Sequence, residues 1–224
     1  MLTLARLLSS LLDALAPPCC AACDSAAGGV FCDACAARVR ACPNELLDGV
    51  PLLVGGNYAA PLSDAIVRFK YQGRAELAGG LGAFLAPRLA AAGLPARSVL
   101  VPVPLHARRL AKRGYNQAAL LARALGNATG LACAPRLLVR ARETERQVGK
   151  SRELRLTNAD GAFQVNERQL TRLAKRSEPE RPAQVVLVDD VVTTGSTVRA
   201  CAQALAVAGA RLVAVAAVAR AHAD

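Results

Sequence analysis

Aromatic side chains are scarce in this sequence. It has no tryptophan, three tyrosines and four phenylalanines, and histidine occurs only twice. Proteins that bind single-stranded nucleic acid usually stack the bases on aromatic rings, so this composition speaks against such binding as the main function. The two histidines, His106 and His222, give no reason to propose a histidine general base. With 53% hydrophobic residues, many of them alanine, the chain has ample aliphatic material for a closely packed core.

Long apolar runs are also missing. No stretch approaches the roughly 20 apolar residues that cross a bilayer, so the sequence predicts no membrane span. The first residues, MLTLARLLSSLLDALA, resemble a short signal peptide, but Arg6 and Asp13 interrupt the apolar stretch and the leucines follow helical spacing. This pattern favours an amphipathic helix that lies on the body of the protein. We therefore expect a cytoplasmic location.

Acidic residues are fewer than basic residues in this sequence. The chain has 28 Lys and Arg against 17 Asp and Glu, which gives a net charge of +11. This balance favours anionic partners such as phosphates, nucleotides or nucleic acid, although a solvated surface without a partner gives the same count.

Cysteine is concentrated near the N-terminus, where six of the eight cysteines lie between residues 19 and 42. The clustering predicts a small module with an N-terminal helix and a double zinc-ribbon-like segment over residues 1–50, followed by a larger domain over residues 57–224.

Two Cys-x2-Cys pairs carry the chemistry of this module, and their members are Cys20, Cys23, Cys32 and Cys35. Four thiolates can close a tetrahedral site, so the spacing predicts structural zinc. Disulfides are the alternative, and they suit a cytoplasmic chain poorly. The sequence leaves open whether Cys19 replaces Cys20 and whether Cys42 joins the site.

The rest of the chain alternates between strand and helix patterns. Strands are predicted over residues 98–105, 134–140, 185–192 and 210–220, and helices over residues 61–71, 74–92, 115–130 and 196–209. Residues 166–182 have the pattern of a solvated helix followed by a linker. Apolar strands joined by helical crossovers favour a parallel sheet that is covered on both faces.

The sequence VVLVDDVVTTGST, residues 185–197, predicts a phosphate site where a strand turns into a helix. The first turn of such a helix offers unpaired N–H groups to an anion, with Ser196 and Thr197 as N-cap candidates. Gly195 would let the backbone approach the anion closely. Carboxylates beside a phosphate would repel it, so Asp189 and Asp190 should face sugar hydroxyls or a magnesium ion. The alternative is an ordinary strand–turn–helix capped by hydroxyl side chains.

Three segments together resemble the ComF/GntX family of type I phosphoribosyltransferase-like proteins, which is associated with competence and the use of external DNA. They are VPVPLHARRLAKRGYNQAALLARAL (101–125), RETERQVGKSRELRLTNADGAF (142–163) and VVLVDDVVTTGST (185–197). The resemblance implies an α/β fold with a type I phosphoribosyltransferase-like parallel sheet and flanking helices, plus a small N-terminal zinc-binding module with four cysteine ligands. The basic segment 166–182 is long for the family.

The resemblance also implies roles for individual residues around phosphoribosyl diphosphate (PRPP). Asp189 and Asp190 would be the catalytic pair that holds the ribose hydroxyls or Mg²⁺. The 5-phosphate would lie on Thr193, Thr194, Gly195, Ser196 and Thr197. The pyrophosphate would contact Arg108, Arg109, Arg113, Gly114, Asn116 and Gln117. A mobile loop would contribute Arg142, Gln147, Lys150 and Arg152, and Lys70 is a further candidate phosphate contact.

The function expected from the resemblance is PRPP and Mg²⁺ binding, linked to natural competence or the use of external DNA and to nucleotide salvage. An active enzyme would transfer the phosphoribosyl group to an unidentified nitrogenous acceptor. DNA and competence proteins are further candidate partners. Two alternatives remain: a PRPP- or nucleotide-binding regulator or platform for DNA handling without turnover, and a single-stranded DNA-binding protein.

Overall fold

In the computed structural model, residues 19–140, 162–174 and 182–222 are described. The predicted N-terminal helix lies outside these ranges. The helices are α1 (Asp33–Ala36), α2 (Leu62–Tyr71), α3 (Leu77–Ala90), α4 (Ala107–Arg113), α5 (Gln117–Thr129), α6 (Glu167–Ala174) and α7 (Ser196–Val207). The strands are β1 (Glu45–Leu47), β2 (Val50–Asn57), β3 (Val99–Pro102), β4 (Ala132–Cys133), β5 (Leu138–Arg140), β6 (Phe163–Val165), β7 (Gln184–Val192) and β8 (Arg211–Arg220).

A six-stranded sheet in the order β1-β2-β8-β7-β3-β4 forms the centre of the molecule. Strands β2, β8, β7, β3 and β4 pair in parallel, and β1 joins β2 as an antiparallel hairpin. The runs Val185–Val188 and Ala214–Ala219 are buried throughout because helices cover both faces of the sheet. The predicted α/β class with a largely parallel sheet is confirmed.

Two buried apolar clusters lie in the described part of the chain. The first joins α2, α3 and α5 through side chains such as Ile66, Leu85 and Leu121. The second includes Val198 and Leu205 of α7, together with residues of β5 and β6. The two clusters pack helices against the two faces of the sheet.

The hairpin β1–β2 was not predicted. β2 lies next to β8, in a register that pairs Leu52 with Val215. Its sequence, VPLLVGGN, contains a proline and two glycines, which are poor signals for a strand. The glycines are needed because a Cβ on Gly55 would lie 2.4 Å from the ring of Phe84, and one on Gly56 would lie 2.7 Å from a backbone carbonyl oxygen.

Two other sequence predictions need correction. The strand predicted over residues 134–140 contributes only Leu138–Arg140, which pairs antiparallel with β6 in a separate two-stranded sheet. The predicted hydroxyl cap of the helix after the phosphate loop is also wrong. The N-cap residue is Gly195, whose φ of 79° is in the left-handed region. Glycine has no side chain that could cap the helix, and the two predicted caps, Ser196 and Thr197, are the first residues of the helix itself.

The cysteine-rich segment packs directly on α2 and α3. The rings of Phe31 and Phe84 meet edge to face with centroids 5.6 Å apart. Asp24, which follows Cys23, forms ion pairs with Arg68 at 2.5 Å and with Arg74 at 3.2 Å. Apolar and charged contacts therefore tie this segment to the helices of the larger domain.

Among the described helices, none combines the length and apolarity that crossing a bilayer requires.

Candidate functional site

The candidate site lies at the edge of the sheet where β3 and β7 end. These strands are parallel neighbours with Pro102 opposite Val188, and the Val103 N–H donates to the Val188 carbonyl at 2.9 Å. The turn after β3 therefore starts beside the acidic pair of β7. Ligands of open parallel sheets bind at this kind of strand end.

Asp189 and Asp190 occupy the C-terminal part of β7. The Asp190 N–H donates to Asp189 Oδ1 at 2.8 Å, and the Nζ of Lys70 in α2 lies 2.6 Å from Asp190 Oδ1. Burial, followed by the nearby Asp190 carboxylate, raises the pKa of Asp189 to about 7. The site thus has one carboxylate balanced by a lysine and a second whose ionisation is opposed by its surroundings.

Lys70 was predicted as a phosphate contact. The structure pairs its ammonium with Asp190, so its contact with a phosphate stays a prediction.

The loop between β7 and α7 is open on one side. Thr193, Thr194, Ser196 and Thr197 are exposed, and Gly195 between them is buried. The Ser196 N–H lies 3.4 Å from the Thr194 hydroxyl oxygen, and the Ser196 hydroxyl lies 3.3 Å from it. The polar groups of the two residues therefore lie close together at the start of α7. An anion placed here would meet hydroxyls and the N–H groups of the first turn of a 12-residue helix.

Two arginines that sequence reasoning missed hold this loop from its other side. Arg199 donates to the Thr194 carbonyl at 2.9 Å, and Arg220 donates to the Thr193 carbonyl. Their carboxylate partners, Asp48 and Glu45, are 151 and 175 positions away in the chain. No local pattern could have revealed pairs at this separation.

The basic turn after β3 forms α4. His106 caps this helix by accepting from the Arg108 N–H at 3.2 Å, and Gly114 ends it with φ 79°. Arg108 and Arg109 are exposed at its start. Arg113 donates to Gln117 Oε1 at 3.0 Å and lies 4.8 Å from the centroid of the Tyr71 ring. This cationic turn lies within the segment 101–125, which carries part of the family resemblance.

Asn116 and Gln117 have structural contacts of their own. Asn116 caps α5 through its side-chain oxygen, and its Nδ2 donates to the Val103 carbonyl at 3.1 Å. Gln117 is 1% exposed. Both residues fix the turn after β3, and their predicted contact with pyrophosphate stays a prediction, as it does for Arg108, Arg109, Arg113 and Gly114.

The predicted mobile-loop residues, Arg142, Gln147, Lys150 and Arg152, lie outside the described residues.

The four predicted zinc ligands come together. The Sγ atoms of Cys20, Cys23, Cys32 and Cys35 all lie within 4.8 Å of one another, and those of Cys23 and Cys32 are 3.7 Å apart. Four sulfurs at about 2.3 Å from a tetrahedral zinc would be separated by about 3.8 Å, so the group has the right size. A hydrogen bond from the Ser25 side chain lowers the pKa of Cys23, whereas burial raises the pKa of Cys35 to about 12.

The alternatives that the sequence left open are decided by this geometry. None of the eight cysteines, all of which lie in the described ranges, forms a disulfide. Cys20 rather than Cys19 joins the four-sulfur group. Cys42 lies elsewhere, beside Glu45 and His222.

Comparison with known proteins covers most of the chain. Residues 110–224 match the family model of the phosphoribosyl transferase domain. The DNA utilization protein YhgH of Salmonella typhi is 36% identical over 163 residues, which are 71% of this chain and 67% of the relative. Competence protein F of Haemophilus influenzae is 35% identical over 152 residues, 65% of this chain and 62% of the relative.

Among solved structures, the glutamine PRPP amidotransferase from B. subtilis, complexed with ADP and GMP, is similar over 62% of this chain and 24% of that chain. The TM-score is 0.38 and the sequence identity is 21%.

Proposed function

Because this chain belongs to the ComF/GntX family of proteins with a phosphoribosyl transferase domain, we propose that it binds PRPP with Mg²⁺ where β7 turns into α7. One observation carries the proposal. The acidic pair, with Asp189 half-buried and Asp190 buried, the exposed loop of hydroxyls and amides, and the start of the basic turn all lie at one edge of the sheet. Each matches one part of the ligand: the ribose hydroxyls, the 5-phosphate and the pyrophosphate.

The 5-phosphate would lie on residues 193–197, where it accepts hydrogen bonds from N–H groups and hydroxyls at the start of α7. Asp189 and Asp190 would accept hydrogen bonds from the ribose hydroxyls. Their carboxylate oxygens are also of the type that Mg²⁺ prefers, so the donor set fits the metal that accompanies PRPP. The guanidinium groups of Arg108 and Arg109 would neutralise the pyrophosphate.

Turnover would consist of one displacement at the anomeric carbon. The C1–O bond to pyrophosphate breaks, the leaving oxygen keeps the electron pair, and a nitrogen of the acceptor forms the new bond and releases its proton to solvent. Positioning and charge stabilisation would contribute most of the acceleration, since the chemistry does not need a strong general base. A nitrogenous acceptor of this kind would connect the protein to nucleotide salvage.

Calorimetry with PRPP and Mg²⁺ tests the binding proposal. We expect a measurable heat of binding with the wild type. Asp189→Asn and Asp190→Asn should each lower the affinity about tenfold or more, because each substitution removes a charged hydrogen-bond acceptor. Asp64→Asn is the matched control, since it removes an exposed carboxylate at the start of α2 and should bind as the wild type does. Absence of any heat with the wild type would overturn the proposal.

Pyrophosphate release with a panel of nitrogenous bases then tests turnover. Release with one base would identify the acceptor class and support the transferase. Binding of PRPP without release for any base would favour the alternative of a non-catalytic PRPP sensor or platform for DNA handling.

The names of the relatives suggest the cellular context. One is called a DNA utilization protein and the other a competence protein, so we place this chain in the handling or use of external DNA, with DNA or competence proteins as candidate partners. The four-cysteine group would hold a structural zinc ion, because all four positions of a tetrahedron are filled by protein sulfurs. Ligands that must stay reduced agree with the expected cytoplasmic location.

A further inference from the structure

We propose that the β1–β2 hairpin positions the phosphate loop by holding its carbonyl groups away from the bound anion, through Arg199 and Arg220. This inference rests on the proposed function, because it assigns a role to residues behind the 5-phosphate site. It concerns residues that would never touch the ligand. They are positioning residues, and the loop is the part that binds.

The first contact runs from the turn of the hairpin to the loop. Asp48 accepts from Arg199 Nε at 2.7 Å, and the same guanidinium donates through Nη1 to the Thr194 carbonyl at 2.9 Å. Arg199 stands in the first turn of α7. One side chain therefore bridges the hairpin and the backbone of the loop.

The second contact runs from the start of β1. Glu45 accepts two hydrogen bonds from Arg220, at 2.8 Å and 2.9 Å, and Arg220 donates through Nη1 to the Thr193 carbonyl. The Arg220 side chain is only 12% exposed and that of Glu45 is 29% exposed. A bidentate pair with this burial fixes the direction of the guanidinium well.

An apolar contact completes the support. Leu47 of the hairpin lies directly under Gly195, so that a Cβ at Gly195 would be 2.7 Å from Leu47 Cδ1. Gly195 also has φ 79°, which a side chain would oppose. The hairpin thus reaches Thr193, Thr194 and Gly195 in succession.

The consequence for binding follows from peptide geometry. In a planar trans peptide the C=O and the next N–H point in opposite directions. When the guanidinium groups hold the carbonyls of Thr193 and Thr194, the N–H groups of Thr194 and Gly195 are directed to the other side, where a phosphate would accept from them. A carbonyl turned toward the phosphate would instead repel it.

The decisive variant is Asp48→Gly. Asp48 has φ 52°, which glycine adopts without strain, and the Arg199–Asp48 pair is half exposed, so its loss should change overall stability little. The change removes a negative charge near the site. Simple electrostatics would therefore predict tighter anion binding, whereas loss of positioning predicts weaker binding.

We expect Asp48→Gly to weaken ribose 5-phosphate about three- to tenfold, with a larger loss in Arg199→Met, and to leave magnesium pyrophosphate binding unchanged, because pyrophosphate would lie on the other turn. Asp64→Asn is the charge-matched control and should change neither ligand. Equal or tighter ribose 5-phosphate binding in Asp48→Gly would overturn the inference, and so would an equal loss for both ligands.

Hydrogen exchange separates this inference from the proposed function. Without any ligand, the amides of residues 193–197 should exchange several-fold faster in Asp48→Gly and Arg199→Met than in the wild type or Asp64→Asn. Unchanged exchange would overturn the positioning role. A wild type that binds no PRPP would overturn the proposed function, while the exchange result would still decide whether the hairpin holds the loop.

Discussion

At the scale of single residues, Asp189 lies in surroundings that oppose its own charge. Burial comes first and the neighbouring Asp190 second, and together they raise the pKa of Asp189 to about 7. Its folded form therefore binds a proton more tightly than the unfolded chain does. Between the unfolded pKa, near 4, and about pH 7, stability falls as the pH rises, because the unfolded state releases the proton first.

Asp189→Asn should remove this penalty. We expect the variant to be more stable than the wild type by about 1–3 kcal/mol at pH 8, and the difference to shrink toward pH 4, where the wild-type carboxyl is protonated in both states. The asparagine oxygen can still accept from the Asp190 N–H. Thermal unfolding of both proteins across this pH range measures the difference. A gain that is the same at all pH values would show that ionisation of Asp189 is not its cause.

Gly195 shows how far sequence reasoning reaches at one position. The motif predicts a glycine that lets the backbone approach an anion, and that role stays a prediction. The structure adds a reason that the motif does not contain, since Leu47 leaves no room for a Cβ. The contact is made by a residue 148 positions earlier in the chain, in a hairpin that was not predicted.

At the scale of elements, the strands that the sequence predicted well are those with unbroken aliphatic runs. Most residues of β7 and β8 are buried on both faces of the sheet, and both strands accordingly consist mainly of valine, leucine and alanine. β2 pairs with β8 from Leu52 to Asn57, but the close approach of Phe84 to Gly55 requires glycine, and glycine is a poor signal for a strand. β5 was assigned to the wrong sheet because a short apolar run does not say which strand it pairs with.

The parts of the candidate site also differ in how well the sequence predicts them. The phosphate loop, the basic turn and the cysteine pairs are contiguous in sequence, so their residue types and spacing could be interpreted directly. The two arginine bridges join distant segments, and a single sequence contains no signal for such pairing.

The cysteine-rich segment gives a prediction at this scale. Because it packs on α2 and α3 through Phe31 and Asp24, loss of the proposed zinc ion should loosen these helices as well. We expect Cys32→Ser to lower the Tm by at least about 5 °C and to speed hydrogen exchange in α3. Cys19→Ser is the matched control, since Cys19 lies outside the four-sulfur group. Equal effects of the two substitutions, or a purified protein without zinc, would contradict the assignment.

At the scale of the whole molecule, the net charge of +11 predicts attraction to nucleic acid with little sequence preference. We expect binding of single-stranded DNA to weaken about tenfold or more between 50 and 200 mM salt, because the affinity would come from phosphate contacts. Asp189→Asn combined with Asp190→Asn makes the chain more positive and should not weaken this binding. Fluorescence anisotropy with a labelled oligonucleotide measures both effects. Loss of DNA binding in the double variant would instead place DNA at the PRPP site.

The position of β2 has a consequence for how the protein can be divided. A fragment that began after Asn57 would lack the neighbour of β8, and the N–H and C=O groups along that strand would become a bare edge available to other chains. The same cut would discard the residues that brace the phosphate loop from behind. The polypeptide that links the cysteine-rich segment to the rest of the chain is therefore part of the central sheet, and a fragment of the larger domain must include it.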